Sequence, residues 1–335
     1  MSILIGVVFF YSCNHVTYNV EKIKEDIYAI SVPKGFPPIV FPTDNKPTAA
    51  RVALGKKLFY DPQLSKDGTI SCASCHLPTY SFSDTVALSS GTTHSQTMRN
   101  STQLANVCYQ QKLFSEGGVS SLEIQVLAPS NESVEMNKSL ALVAKEINGD
   151  FLYNKLFEEA YHSPPNAKFI AYAIANFERT LISGNSRFDQ YYYQGKKDRL
   201  SLSEINGYKI FTGNCISCHS GFLFTDQQYY NIGLYEKDTD EGRARLTFNP
   251  NDLGKFKTPS LRNIALTAPY MHDGSMQTLT QVIDHYASGG KNNPLKNEQI
   301  KLIHLSKNDM KDLINFLHSL SDYSFVNNES YKAVE

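Results

Sequence analysis

Two five-residue stretches carry the strongest chemistry in this sequence, Cys72-Ala-Ser-Cys75-His76 and Cys215-Ile-Ser-Cys218-His219. Two thiols three positions apart on one short turn can each add to a vinyl group of a porphyrin. The imidazole that follows can then stand beneath the iron as proximal ligand. The pattern therefore points to two covalently bound haem c groups, one on Cys72, Cys75 and His76, the other on Cys215, Cys218 and His219. A redox dithiol needs no following histidine, and structural zinc needs its ligands grouped into fours. Neither explains a motif that occurs twice.

The elements around the motifs must hold them, and they too occur twice. Gly55-Lys-Lys-Leu-Phe59 precedes the first motif and Gly207-Tyr-Lys-Ile-Phe211 the second; Phe82-Ser-Asp84 follows the first and Phe224-Thr-Asp226 the second. This internal repeat of about 150 residues is too long for a solenoid unit and suits a duplicated domain. The predicted fold is all-α with little strand: two cytochrome c-like haem domains, over residues 35–185 and 200–322. Apolar residues at helical spacing predict helices over 49–59, 202–211, 143–161 and 168–182. A last helix starts at Ser306, with a capping box to Asp309. Long Gly/Asn/Ser/Pro loops (84–104, 220–260) suit the walls of a haem pocket, and the polar segment 183–199 reads as the boundary between domains.

The chain has 335 residues, 41% of them apolar, and a net charge of −1. That balance argues against nucleic acid as a partner, because phosphate contacts would show as a basic excess. No apolar run reaches the 18 or so residues that a membrane-spanning helix needs. Ile3 to Tyr11 is an apolar run ending at Ser12-Cys13, which reads as a leader over residues 1–13, with Cys13 the candidate lipid anchor, although no basic residue precedes the run. The protein is thus expected to be exported or periplasmic. Cys108, the sixth cysteine, reads as a buried free thiol.

Further pieces carry a family resemblance. They are Leu64-Ser-Lys-Asp-Gly-Thr-Ile-Ser-Cys72, Arg99-Asn100, Gln125…Pro129…Val134-Glu135-Met136, Asp240-Glu-Gly-Arg243, Phe256-Lys-Thr-Pro-Ser-Leu-Arg-Asn263 and Ala268-Pro-Tyr-Met-His-Asp-Gly274. Together, over roughly residues 35–322, they resemble bacterial di-haem cytochrome c peroxidases and their MauG-type relatives, which mature methylamine dehydrogenase. The resemblance implies that the N-terminal haem meets peroxide and the C-terminal haem handles electrons. It makes Glu135 the acid–base residue, Gln125 the group that holds peroxide by hydrogen bonds, and Pro129 part of the pocket wall. By its local sequence alone, Glu135 would read as a solvated surface carboxylate. The resemblance also implies a calcium ion between the domains, at Asn100, Thr267 and Pro269.

Three positions depart from the usual pattern. Thr92 stands where many relatives carry a histidine that blocks the first iron at rest; His94, two residues on, reads as a solvated loop residue, so this iron is expected to be open. Ser115 stands where relatives commonly carry a tryptophan between the haems, and this chain has none. Tyr286 stands where conventional peroxidases supply a methionine to the second iron, and MauG-type members carry tyrosine there. A phenolate is a hard anionic donor that lowers the haem's potential. Met271, Met276 and His285 compete with it.

Three functions follow. The first is reduction of hydrogen peroxide to water with electrons from a small cytochrome c or cupredoxin. The second is MauG-like oxidation of a partner protein through high-valent haem iron. The third is a non-enzymatic di-haem carrier, which would need no Gln/Glu pocket. Peroxide reduction leads on the breadth of the resemblance. The sequence leaves open whether the chain forms a homodimer.

Overall fold

The computed structural model describes residues 26–333. The leader expected over residues 1–13, and Cys13 with it, lies outside the described residues. In chain order the helices are α1 (Ala49–Tyr60), α2 (Leu122–Gln125), α3 (Leu127–Asn131), α4 (Leu140–Ile147), α5 (Phe151–Tyr161), α6 (Ala167–Glu178), α7 (Arg187–Tyr192), α8 (Leu202–Asn214), α9 (Ala244–Thr247), α10 (Leu279–Ala287), α11 (Lys307–Ser319) and α12 (Tyr323–Val326). The one sheet among the described residues pairs β1 (Tyr229–Tyr230) antiparallel with β2 (Phe256–Lys257). The all-α expectation holds. No helix among the described residues is long and apolar enough to cross a membrane.

Each half is built on a crossed helix pair, α1 with α6 and α8 with α11, and glycine is what lets each pair close. A Cβ on Gly55 would lie 1.8 Å from the Ala173 carbonyl oxygen, and one on Gly207 would lie 2.0 Å from that of Asp312. Beside each crossing sits the same triangle of phenylalanines. Phe59 lies 5.1 Å from Phe177 and 5.9 Å from Phe82; Phe211 lies 5.0 Å from Phe316 and 5.8 Å from Phe224. Tilted and edge-on contacts of this kind let one ring's positive edge meet another's negative face. The duplication read from short sequence pieces is therefore a duplication of the core.

Two helices differ from their expected bounds. The single helix predicted over 143–161 is two, α4 and α5. Asn148 and Gly149 end the first, and Asp150 caps the second by accepting the Tyr153 N–H at 3.0 Å, an N-cap that redirects the chain. The helix predicted over 168–182 ends at Glu178. Beyond it, the Leu181 carbonyl accepts from Asn106 N at 2.7 Å, and Ser183 N donates to Asn106 Oδ1 at 3.0 Å. A loop 75 positions earlier in the chain takes the backbone groups that another helical turn would have used.

Two hydrophobic cores result. The first runs from Leu54 to Leu181 and includes Phe325 and Val326 of α12, which return to it from the end of the chain; the second runs from Phe188 to Leu320. Residues 183–199, read from sequence as a polar boundary, carry α7. Its Phe188 and Asp189 are buried, and Asp189 receives both terminal nitrogens of the fully buried Arg262, at 2.9 and 3.0 Å.

Candidate haem sites

Each C-x-x-C-H motif forms a tight turn. Cys72–Ser74 is a single 3₁₀ turn, in which the Cys72 carbonyl accepts from Cys75 N at 3.3 Å and His76 N at 3.0 Å. In the second motif the Cys215 carbonyl accepts from Cys218 N at 3.3 Å and His219 N at 2.9 Å. The imidazoles are then oriented alike. His76 Nδ1 lies 2.8 Å from the Phe82 carbonyl oxygen, and His219 Nδ1 lies 3.0 Å from that of Phe224. A carbonyl only accepts, so Nδ1 holds the proton and Nε2 keeps its lone pair. Burial lowers the pKa of both rings and keeps them neutral, the form that binds a metal.

The four thiols are free in the bare chain, and burial raises the pKa of each, that of Cys215 to about 11. No group of three or more His, Cys, Asp or Glu among the described residues could hold a metal ion. The donor set of each motif, two thiols and one neutral imidazole with a free Nε2, fits a covalently attached haem. Cys108 is free as well, and burial pushes its thiol up to about 12.

Beside the first motif, α2 and α3 carry Gln125 and Pro129, both half-buried. Met136 N donates to the Pro129 carbonyl at 3.2 Å, which folds the chain back and sets Glu135 against the end of α3. Burial first, and Glu132 second, raise the Glu135 carboxyl above its ordinary pKa. Glu135 in turn is among the charges that raise both Cys72 and Cys75. Thr92 is tied to the same segment: its N–H and Oγ1 both donate to the Glu135 carbonyl, at 3.0 and 3.2 Å. His94 is exposed. The sequence reading missed Glu178, at the end of α6. Its Oε2 is buried without a hydrogen-bond partner, burial pushes its carboxyl up to about 8, and it too raises Cys72.

Beside the second motif stands α10, capped by Thr278 with Gln281. Burial raises the Tyr286 phenol, followed by the charges of Cys215 and Cys218. Two of the three competing donors have other neighbours. His285 is 9% exposed and its Nε2 lies 3.1 Å from the Ile232 carbonyl oxygen, a bond inside the protein. Met276 packs against the second core, and its backbone pairs with Tyr270.

Most of the remaining motif pieces meet between the halves. Arg99 grips Asp240 through two bonds of 2.7 Å and pairs with Glu116 at 2.5 Å, while Arg245 reaches Glu116 at 2.9 Å. Asn100 N donates to the His272 carbonyl at 2.8 Å, and its amide nitrogen donates to the carbonyls of Val86 and Ala87. That bond draws Asn100 toward the 267–272 segment, which includes Thr267 and Pro269. Ser115, at the position of the missing tryptophan, accepts from Lys257 N at 2.7 Å. Next along β2, Phe256 stacks on His272 with ring centres 4.0 Å apart.

Known proteins share this arrangement. The sequence profile of the di-haem cytochrome c peroxidase family matches residues 49–198, and that of cytochrome c matches residues 205–321. The cytochrome-c peroxidase IdrP1 of Denitromonas iodatirespirans is 37% identical over 85% of this chain and 85% of its own length. The methylamine utilization protein MauG of Methylorubrum extorquens is 36% identical over 83% of this chain and 80% of its own. Among solved structures, a MauG-like protein associated with microbial copper homeostasis is 33% identical, with a TM-score of 0.87 over 91% of this chain and 99% of that one.

Proposed function

Because this chain belongs to the di-haem cytochrome c peroxidase family, we propose that it reduces hydrogen peroxide at a haem c held by Cys72, Cys75 and His76. A second haem c, held by Cys215, Cys218 and His219, takes in the electrons. The two equal turns, each with an imidazole held through Nδ1 by a phenylalanine carbonyl, are the observation that carries this reading. A small cytochrome c or cupredoxin supplies two electrons, which with two protons turn one peroxide into two waters. A haem bound there would supply the electron pair that breaks the oxygen–oxygen bond. The chain's own residues move the proton: Glu135 takes it from one peroxide oxygen and returns it to the departing one, for which a raised carboxyl pKa is suited. Gln125 holds the peroxide and Pro129 shapes the wall.

The domains run over 35–185 and 200–322. Calcium bridges them through backbone oxygens and waters at Asn100, Thr267 and Pro269, and the bond from Asn100 N to the His272 carbonyl supports that reading by joining the two segments. The protein works in the periplasm, after export by the 1–13 leader, with Cys13 as its lipid anchor.

One observation favours a second reading. The second thiol pair acts on the Tyr286 phenol while His285 is bonded to Ile232, so Tyr286 would be the residue that holds the second haem's iron together with His219. Such a ligand disfavours electron entry and suits oxidation of a partner protein. Mixing the oxidised protein with peroxide in a stopped-flow, with and without reduced cytochrome c, separates the readings. Two cytochromes oxidised per peroxide supports peroxide reduction. A lasting spectral change with no cytochrome consumed supports partner oxidation. No reaction in either case overturns both.

A further inference from the structure

The rings behind the second motif lead somewhere that those behind the first do not. The Phe224 carbonyl holds His219, and the Phe224 ring lies 5.2 Å from the Phe188 ring. Phe188 in turn stacks on Tyr192, with centres 5.2 Å apart and planes 14° from parallel. Phe224 and Phe188 are buried, at 3% and 2% exposure, whereas Tyr192 is 51% exposed. Tyr208 stands on both, 5.2 Å from Phe188 and 6.0 Å from Tyr192. A continuous set of aromatic rings therefore joins the proximal histidine of the second site to solvent. In the first half, the rings around Phe82 end in Tyr60 and Tyr331, both half-buried, whose hydroxyls donate to the carbonyls of Tyr331 at 2.6 Å and Thr180 at 2.9 Å.

We propose that Tyr192 is a surface site of one-electron oxidation, connected to the second haem through Phe188 and Phe224. The proposal rests on the reading of a haem at Cys215, Cys218 and His219 and on peroxide as oxidant. Benzene rings in van der Waals contact couple electronically without being oxidised themselves, so the phenylalanines bridge and the tyrosine gives up the electron. When peroxide has oxidised the protein and no donor is present, Tyr192 passes one electron inward and its phenolic proton to solvent, leaving a neutral phenoxyl radical. Tyr192 supplies one of the two electrons that one peroxide takes in becoming two waters, and the haem irons, left one equivalent more oxidised, supply the other. Radicals on two copies of the chain combine through a carbon–carbon bond, each ring losing one hydrogen as a proton when aromaticity returns.

The test uses the haem-loaded protein, with haem content checked by mass, treated with peroxide in the absence of donor. Freeze-quench electron paramagnetic resonance reads the radical, and peptide mapping reads the dityrosine. Wild type should show a tyrosyl signal and cross-linked peptides containing Tyr192. Tyr192→Phe, which keeps the ring, should lose most of both while consuming peroxide normally with donor present. Phe188→Leu, which opens the chain of rings but keeps Tyr192, should slow the radical's appearance. An unchanged signal and unchanged cross-links in Tyr192→Phe overturn the proposal. A wild-type protein that carries both haems yet consumes no peroxide overturns the functional reading instead, and the proposal with it.

Discussion

The two halves of this chain agree closely where they hold a porphyrin and disagree where a ligand would meet its other face. In both, a glycine at a helix crossing, a triangle of phenylalanines and one phenylalanine carbonyl fix a thiol–thiol–imidazole set. In the proposed function, the first half would offer Glu135 with Gln125 and Pro129 to peroxide, and the second would offer Tyr286. The difference teaches that attachment is a property of the shared fold. Reactivity is set by a few side chains on segments that the duplication left dissimilar: the α2–α3 turn in one half and α10 in the other. The same scaffold can thus give one iron a proton carrier and the other an anionic oxygen.

The sharpest way to break the comparison is to remove the acid from the half that has it. Glu135→Gln should keep both haem spectra while cutting peroxide turnover on the order of 10²–10⁴-fold, the usual worth of a positioned acid–base group. Steady-state assays with reduced cytochrome c decide it; near-normal turnover refutes the role. The same residue fixes the pH dependence. Its carboxyl pKa is raised by burial, so the carboxylate that accepts the first proton disappears at a higher pH than an exposed glutamate's. Wild-type turnover should therefore fall with acid above the usual carboxylate range, and the residual rate of Glu135→Gln should lack that limb.

Making the second half resemble a conventional electron-entry site is the next test. Tyr286→Met should create the near-infrared methionine–iron band and raise that haem's potential, on the order of tenths of a volt within the range that axial ligands command. A wild-type protein that already shows the band excludes Tyr286 as ligand. A smaller effect is expected from the shared scaffold itself. Gly55→Ala and Gly207→Ala each force a methyl against a carbonyl oxygen, and each should destabilise its half by ~1–3 kcal/mol. Denaturant titrations followed at each haem would show whether the halves answer alike. The smallest expected change is from a chelator: loss of calcium should alter the coupling between the haems while both stay attached, and unaltered redox titrations argue against the site at Asn100, Thr267 and Pro269.

Much of this was legible in the sequence because covalent chemistry and helix periodicity are local. Cys72, Cys75 and His76 must follow one another to reach one porphyrin, and so must Cys215, Cys218 and His219. Thr278 and Ser306 announce α10 and α11 by their own side chains. Glu135 was legible only through its resemblance to a family, since its neighbours read as a polar surface. Its partial burial comes from a chain reversal closed by the bond from Met136 to Pro129.

By itself, then, the sequence determined the two haem motifs, the duplication that frames them, and the helices whose caps and spacing lie within one segment. The tertiary structure decided what depends on residues far apart in the chain. It stopped α6 at Glu178 by giving later backbone groups to Asn106. It turned the polar stretch 183–199 into a buried anchor by setting Asp189 against Arg262. It engaged His285 with Ile232. The physical reason is range: a motif or a cap acts over a few residues, whereas burial and a hydrogen-bond partner are set by whichever distant segment the fold brings into contact.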